Sequence, residues 1–183
     1  MKNKKFVIGI VSIVTAITLS ACSGNNENEA QSVQDHSMEM DHSGTSEVPK
    51  GLKVAENPTY KVGEKVIIKE GHMEGMEGAE ATIVGAYDTI AYTISYTPTD
   101  GGEKVENHKW VIQEEIVDAG TEPLKPGTEV KIDADHMKGM DGVTAVIDSA
   151  EKTTVYMIDF TLTTNGEKVT NHKWVTESEL EAK

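Results

Sequence analysis

HMEGMEGAEATIVGAYDTIAYTISY, residues 72–96, is written a second time as HMKGMDGVTAVIDSAEKTTVYMIDF, residues 136–160. Each copy is followed by NHKWV, at 107–111 and again at 171–175, so both motifs recur at an offset of 64 residues. The offset runs without a gap from Lys61/Lys125 to Glu115/Glu179, with close to half of the pairs identical. Self-similarity at one fixed spacing marks an internal duplication. A unit of about sixty residues can fold alone, if marginally, so the expectation is two tandem domains, residues 58–119 and 120–183.

Inside each unit the signals are for strands. Residues 65–69 (KVIIK) follow Gly63, residues 81–84 (ATIV) follow a glycine-rich segment, and residues 91–97 alternate with many β-branched and aromatic side chains. Asp100-Gly101-Gly102, matched by Asn165-Gly166, is a hairpin turn. Lys104-Val105 then leads into Lys109-Trp110-Val111, and an acidic turn at Gln113-Glu114-Glu115 closes the unit. The fold class expected is mainly β, with each repeat closed into a small SH3-like barrel because closure removes exposed strand edges. A fold so widely used does not give a function.

The N-terminus reads as an export leader. Lys2, Lys4 and Lys5 precede an apolar run at 6–19, which ends in Leu19-Ser20-Ala21-Cys22. The run is short for a transmembrane helix, and the small residues before a cysteine resemble the lipobox of bacterial lipoproteins. Residues 1–21 are then a signal peptide, and Cys22 is lipidated to hold the chain at the outer face of the cell membrane. The competing reading is an ordinary secretory signal with an incidental cysteine. Residues 22–57 contain almost no large apolar side chain and are expected to be a disordered tether.

Composition removes several functions. The net charge is −14 and no arginine is present, which disfavours nucleic acid as a partner. Cys22 is the single cysteine, so neither an intramolecular disulfide nor a thiolate metal site can form. No nucleophile elbow, phosphate loop or metalloprotease helix is written in the chain, and an enzyme is not expected.

What remains is a set of histidines and methionines. His72, Met73 and Met76, and again His136, Met137 and Met140, lie in glycine-broken loops. His36, Met38, Met40 and His42 form a third cluster within the tether, where there is no core to join. Thioether sulfur and imidazole nitrogen suit Cu(I) and Ag(I), whereas Ca²⁺ and Mg²⁺ want oxygen. Methionine also fills cores, and the loop methionines taken alone fit that role equally well. His108 and His172 either cap a turn or add an imidazole to each site. Trp110 and Trp174 are either core residues or aromatic contacts for the ion.

With these residues in view, HMEGMEGAEATIVGAYDTIAYTISY followed by NHKWV resembles the YdhK-type repeat lipoproteins of Gram-positive bacteria, which include copper-binding lipoproteins of the CopL type. The resemblance covers nearly all of residues 60–183 in two copies. It implies copper binding outside the membrane, protection against copper toxicity and association with a copper-exporting transporter. The second unit departs from the pattern where Gly85-Ala86-Tyr87-Asp88 becomes Ser149-Ala150-Glu151-Lys152. The expected function is therefore a surface-anchored Cu(I)-binding lipoprotein with one site per barrel. Its rival is a cell-wall or protein interaction module with Tyr92, Tyr96 and Trp110 lining a groove, and an inert spacer is a third reading.

Overall fold

A computed structural model describes residues 43–183. The expected leader, Cys22 and the cluster of His36, Met38, Met40 and His42 lie outside the described residues. Eight strands form one antiparallel sheet: β1 (Lys53–Val54), β2 (Lys65–Ile68), β3 (Glu80–Tyr96), β4 (Val105–Ile112), β5 (Glu129–Lys131), β6 (Thr144–Thr161), β7 (Lys168–Thr176) and β8 (Leu180–Ala182). Among the described residues the helices are two single 3-10 turns, Gln113–Glu115 and Glu177–Glu179. The chain is mainly β, as its alternating pattern and turn residues require.

The repeats share their strands. β3 and β6 are equivalent in the duplication, and they pair with each other antiparallel from Ala81↔Phe160 to Tyr96↔Ala145. Thr89 faces Thr153, its own counterpart 64 residues on, so a pseudo-two-fold axis passes between them. The sequence reading placed separate strands at 81–84 and 91–97, whereas β3 is continuous over 17 residues. At about 3.3 Å per residue it runs about 55 Å, roughly twice the width of a sixty-residue domain. Gly85 helps it pass through, because a Cβ there would lie 2.6 Å from the Tyr87 ring. A register shift between Ile83 and Gly85 marks the same place.

Because these strands cross the axis, the repeats do not pack as two separate barrels. Each end of the sheet has its own core, and each core draws on both repeats. In the first lobe Val66, Ile68 and Ile83 pack with Ile158, Phe160 and Leu180. In the second lobe Tyr92, Ile94 and Val111 pack with Ile132, Ala145 and Ile147. The first lobe also joins the start of the fold to its end, through β2 paired with β8. A third cluster at the axis holds Ala91, Trp110, Ile112, Val155, Met157 and Trp174. Among the described residues the structure shows one open sheet shared by both repeats, rather than a separate sheet for each. Burial explains the change: a long strand buries its apolar face at both ends only if each end finds a partner half.

Part of the expected tether is ordered. The Gly44 N–H donates to Thr170 O at 2.8 Å, and the Thr170 N–H to Ser43 Oγ at 3.1 Å. Val48 and Leu52 pack against the axial cluster, and Lys53 pairs with Asp88 in the sheet. These apolar residues and backbone bonds offset the entropy cost of ordering the segment.

Candidate metal site

The two His-Met loops have one geometry, set by glycine. In each, the second methionine's N–H turns back onto the first, Met76 to Met73 O at 3.3 Å and Met140 to Met137 O at 3.1 Å. Gly75 and Gly139 adopt φ of 78° and 77°, a region that side chains with a Cβ rarely enter. Each loop docks on the hairpin of the other repeat. Thr163 N–H donates to Gly75 O, and Thr99 N–H to Gly139 O, both at 2.9 Å. A Cβ on Gly75 would come within 2.6 Å of Thr164 Oγ1, so the close approach also needs glycine.

The NHKW motifs form irregular stretches of β4 and β7. Asn107 and Asn171 have φ of 51° and 50°, and the register to β3 and β6 shifts on both sides of His108 and His172. Asparagine tolerates this conformation better than most residues. Its N–H is held by the neighbouring strand: Asn107 donates to Ser95 Oγ at 3.2 Å and Asn171 to Asp159 Oδ1 at 2.7 Å. The Lys109–Trp110 and Lys173–Trp174 peptide bonds are both cis.

This geometry brings the sequence-expected histidines together in a different pairing. The His72 ring lies against His172, with centroids 5.4 Å apart, and Phe160 meets His172 edge-on at 5.6 Å. His108 meets the Tyr96 ring edge-on at 6.0 Å. The Tyr96 hydroxyl donates to Met137 Sδ at 3.9 Å. His72 Nε2, His108 Nε2 and His136 Nδ1 are buried without a hydrogen-bond partner among the described residues. Burial pushes the His108 imidazole down to about 4, and positive charge on His136 or His72 would push it the same way. Burial also lowers His72, with Glu179 opposing and Lys109 and His136 adding to the effect. His72 and His108 are thus favoured in the neutral form, the form that binds a metal.

The methionines divide. Met76 and Met140 are fully buried, one in each lobe core, where flexible thioethers fill space. Met73 and Met137 are half-buried, and Met73 packs at the edge of the first core. Among the described residues no three His, Cys, Asp or Glu side chains stand at metal-holding spacing. A soft ion here would rely on imidazole pairs and thioether sulfur. Tyr92, Tyr96 and Trp110 are buried, which leaves them little surface for the groove that the interaction-module reading expects.

Two residues that the motifs do not single out are central. Glu115 and Glu179, equivalent in the duplication, are buried carboxylates at the axis. Trp174 Nε1–H reaches Glu115 at 3.1 Å, and Trp110 Nε1–H reaches Glu179 at 2.7 Å, each bond crossing between repeats. Each carboxylate also accepts its own turn's N–H, from Ile112 at 3.1 Å and from Thr176 at 2.9 Å. His136 Nε2 lies 2.7 Å from Glu115, and Lys109 Nζ lies 3.1 Å from Glu179. The available signal was the recurrence of Glu three residues after a strand end in both copies, at a capping position.

Residues 62–113 and 126–177 each match the family described as "Protein of unknown function (DUF1541)". The chain belongs to this family. It is 59% identical over 188 residues to the protein titled "Uncharacterized protein YdhK" of Bacillus subtilis (strain 168), covering 100% of this chain and 92% of that one. A crystal structure of that family member matches with a TM-score of 0.77 at 68% identity, over 79% of this chain and 99% of the other. A solution structure of the ydhK C-terminal domain matches with a TM-score of 0.65 at 69% identity, over 67% of this chain and 93% of the other. The family match falls on both repeats, and the resemblance to YdhK-type proteins drawn from the motifs holds.

Proposed function

We propose that this protein binds Cu(I) at the outer face of the cell membrane, anchored through Cys22, and limits copper toxicity by retaining the ion or passing it to a copper-exporting transporter. It is a binding protein and not an enzyme, and Ag(I) is a second ion of suitable softness. The observation that carries this reading is the set of buried, unpartnered imidazole nitrogens on His72, His108 and His136, in a fold whose two loops also supply thioethers. Buried polar atoms normally have partners, and a ligating nitrogen awaiting an ion is one explanation for an exception. Methionine and neutral imidazole are the donors that select Cu(I), and they serve outside the cell without forming disulfides. Met73 and Met137 are the thioethers placed to contribute, with Met76 and Met140 behind them in the cores. His36, Met38, Met40 and His42 add donors from the chain before the fold.

The test is an anaerobic Cu(I) titration of the full-length protein in detergent against a chromophoric chelator. The expected result is at least two equivalents retained, with loss of copper when Met73 and Met137 are both replaced by Leu. No retention against the chelator would overturn the reading.

A further inference from the structure

We propose that the first lobe's copper site is split between the repeats, with His72 from the first and His172 from the second holding one ion beside Met73. The proposal rests on the copper-binding reading above. The duplication by itself points elsewhere, to His72 with His108 in one unit and His136 with His172 in the other. Three observations favour the crossed pairing. The His72 and His172 rings are in contact at 5.4 Å. The His72 loop is fastened to the second repeat, since Thr163 donates to Gly75 O through its N–H at 2.9 Å and its hydroxyl at 3.1 Å. Met73 packs on a core that contains Phe160, Leu162 and Val169, and Phe160 itself meets the His172 ring.

The donors suit a soft monovalent ion. Two imidazole nitrogens and a thioether sulfur form a low-coordinate N₂S donor set, which favours Cu(I) or Ag(I) over harder dications. His72 Nε2 is buried and unpartnered, so it gains a partner when the ion arrives. Because β2 and β8 meet in this lobe, an ion held between His72 and His172 ties the beginning of the fold to its end. The smallest unit able to hold this ion is a lobe, not a repeat.

The counterpart in the second lobe is not equivalent. There His136 Nε2 is already engaged by the Glu115 carboxylate at 2.7 Å, which leaves its Nδ1 as the unpartnered nitrogen. The first lobe is therefore expected to fill first.

Two measurements on the full-length protein test the pairing. In anaerobic Cu(I) competition titrations, His72→Ala, His172→Ala and the double variant should each lose the same one equivalent, whereas His108→Ala should keep it. Histidine ring ¹⁵N shifts of the unaltered protein, followed during Cu(I) addition, avoid any effect of substitution on folding. His72 and His172 should shift together in the first step. Joint movement of His72 and His108 with His172 still would overturn the crossed site while leaving copper binding intact. A protein that takes up no Cu(I) would overturn both.

Discussion

The two lobes share a backbone plan and differ in how their charges are tied. At the axis, Glu115 is met by an imidazole, His136, while Glu179 is met by an ammonium, Lys109, which also lies 3.8 Å from Glu70. Lys173, the counterpart of Lys109, turns away to the Glu47 carbonyl oxygen on the N-terminal segment. At Ser43 and Gly44 that segment hydrogen-bonds to β7 through Thr170, and among the described residues no such bond is made to the twin strand β4. Duplication preserved what the backbone needs: the glycine loops, the left-handed asparagines and the Trp–Glu bonds. It left free the charged side chains around the axis, so that an imidazole meets Glu115 where an ammonium meets Glu179.

Removing the feature common to both lobes should have the largest effect. Glu115→Ala leaves the Trp174 indole, the Ile112 N–H and His136 without their acceptor, and Glu179→Ala does the same to Trp110, Thr176 and Lys109. Each substitution should cost about 3–4 kcal/mol in urea unfolding, since every abandoned buried donor carries a desolvation penalty. A loss below about 1 kcal/mol at either position would mean that the axis is not held by these carboxylates.

A smaller effect separates the lobes by pH. An unfolded imidazole takes a proton near 6.5, but folded His108 resists it down to about 4. Between these values the unfolded chain holds the extra proton, so the metal-free protein should lose stability as pH falls, on the order of 3 kcal/mol from His108 alone. His108→Gln should flatten that slope. For His72→Gln the change should be smaller, because Glu179 partly offsets the burial that lowers His72. An unchanged slope in His108→Gln would contradict a neutral, buried ring in the second lobe.

Much of this was legible in the sequence, and the rest failed for one reason. The offset of 64 residues, the β content, the hairpins at Gly101 and Gly166 and the His-Met loops all follow from local residue chemistry. The crossing of repeats does not, because a strand that pairs with its own copy or with the other copy needs the same residues. The pairing of His72 with His172 was hidden by that ambiguity. Met76 and Met140 were indistinguishable from Met73 and Met137 by type, and only packing shows which pair faces the core. Glu115 and Glu179 looked like two more acids in a chain of −14, until the indoles of the opposite repeat were found on them.

The most direct test is to cut the chain between the repeats. A protease site placed in the exposed stretch at 121–123, cleaved under native conditions, would leave each repeat as its own fragment. The shared cores require the two fragments to stay together through gel filtration and to part only in denaturant. Two folded fragments eluting separately would show that each repeat closes on itself, and would contradict both the crossed lobes and the split copper site.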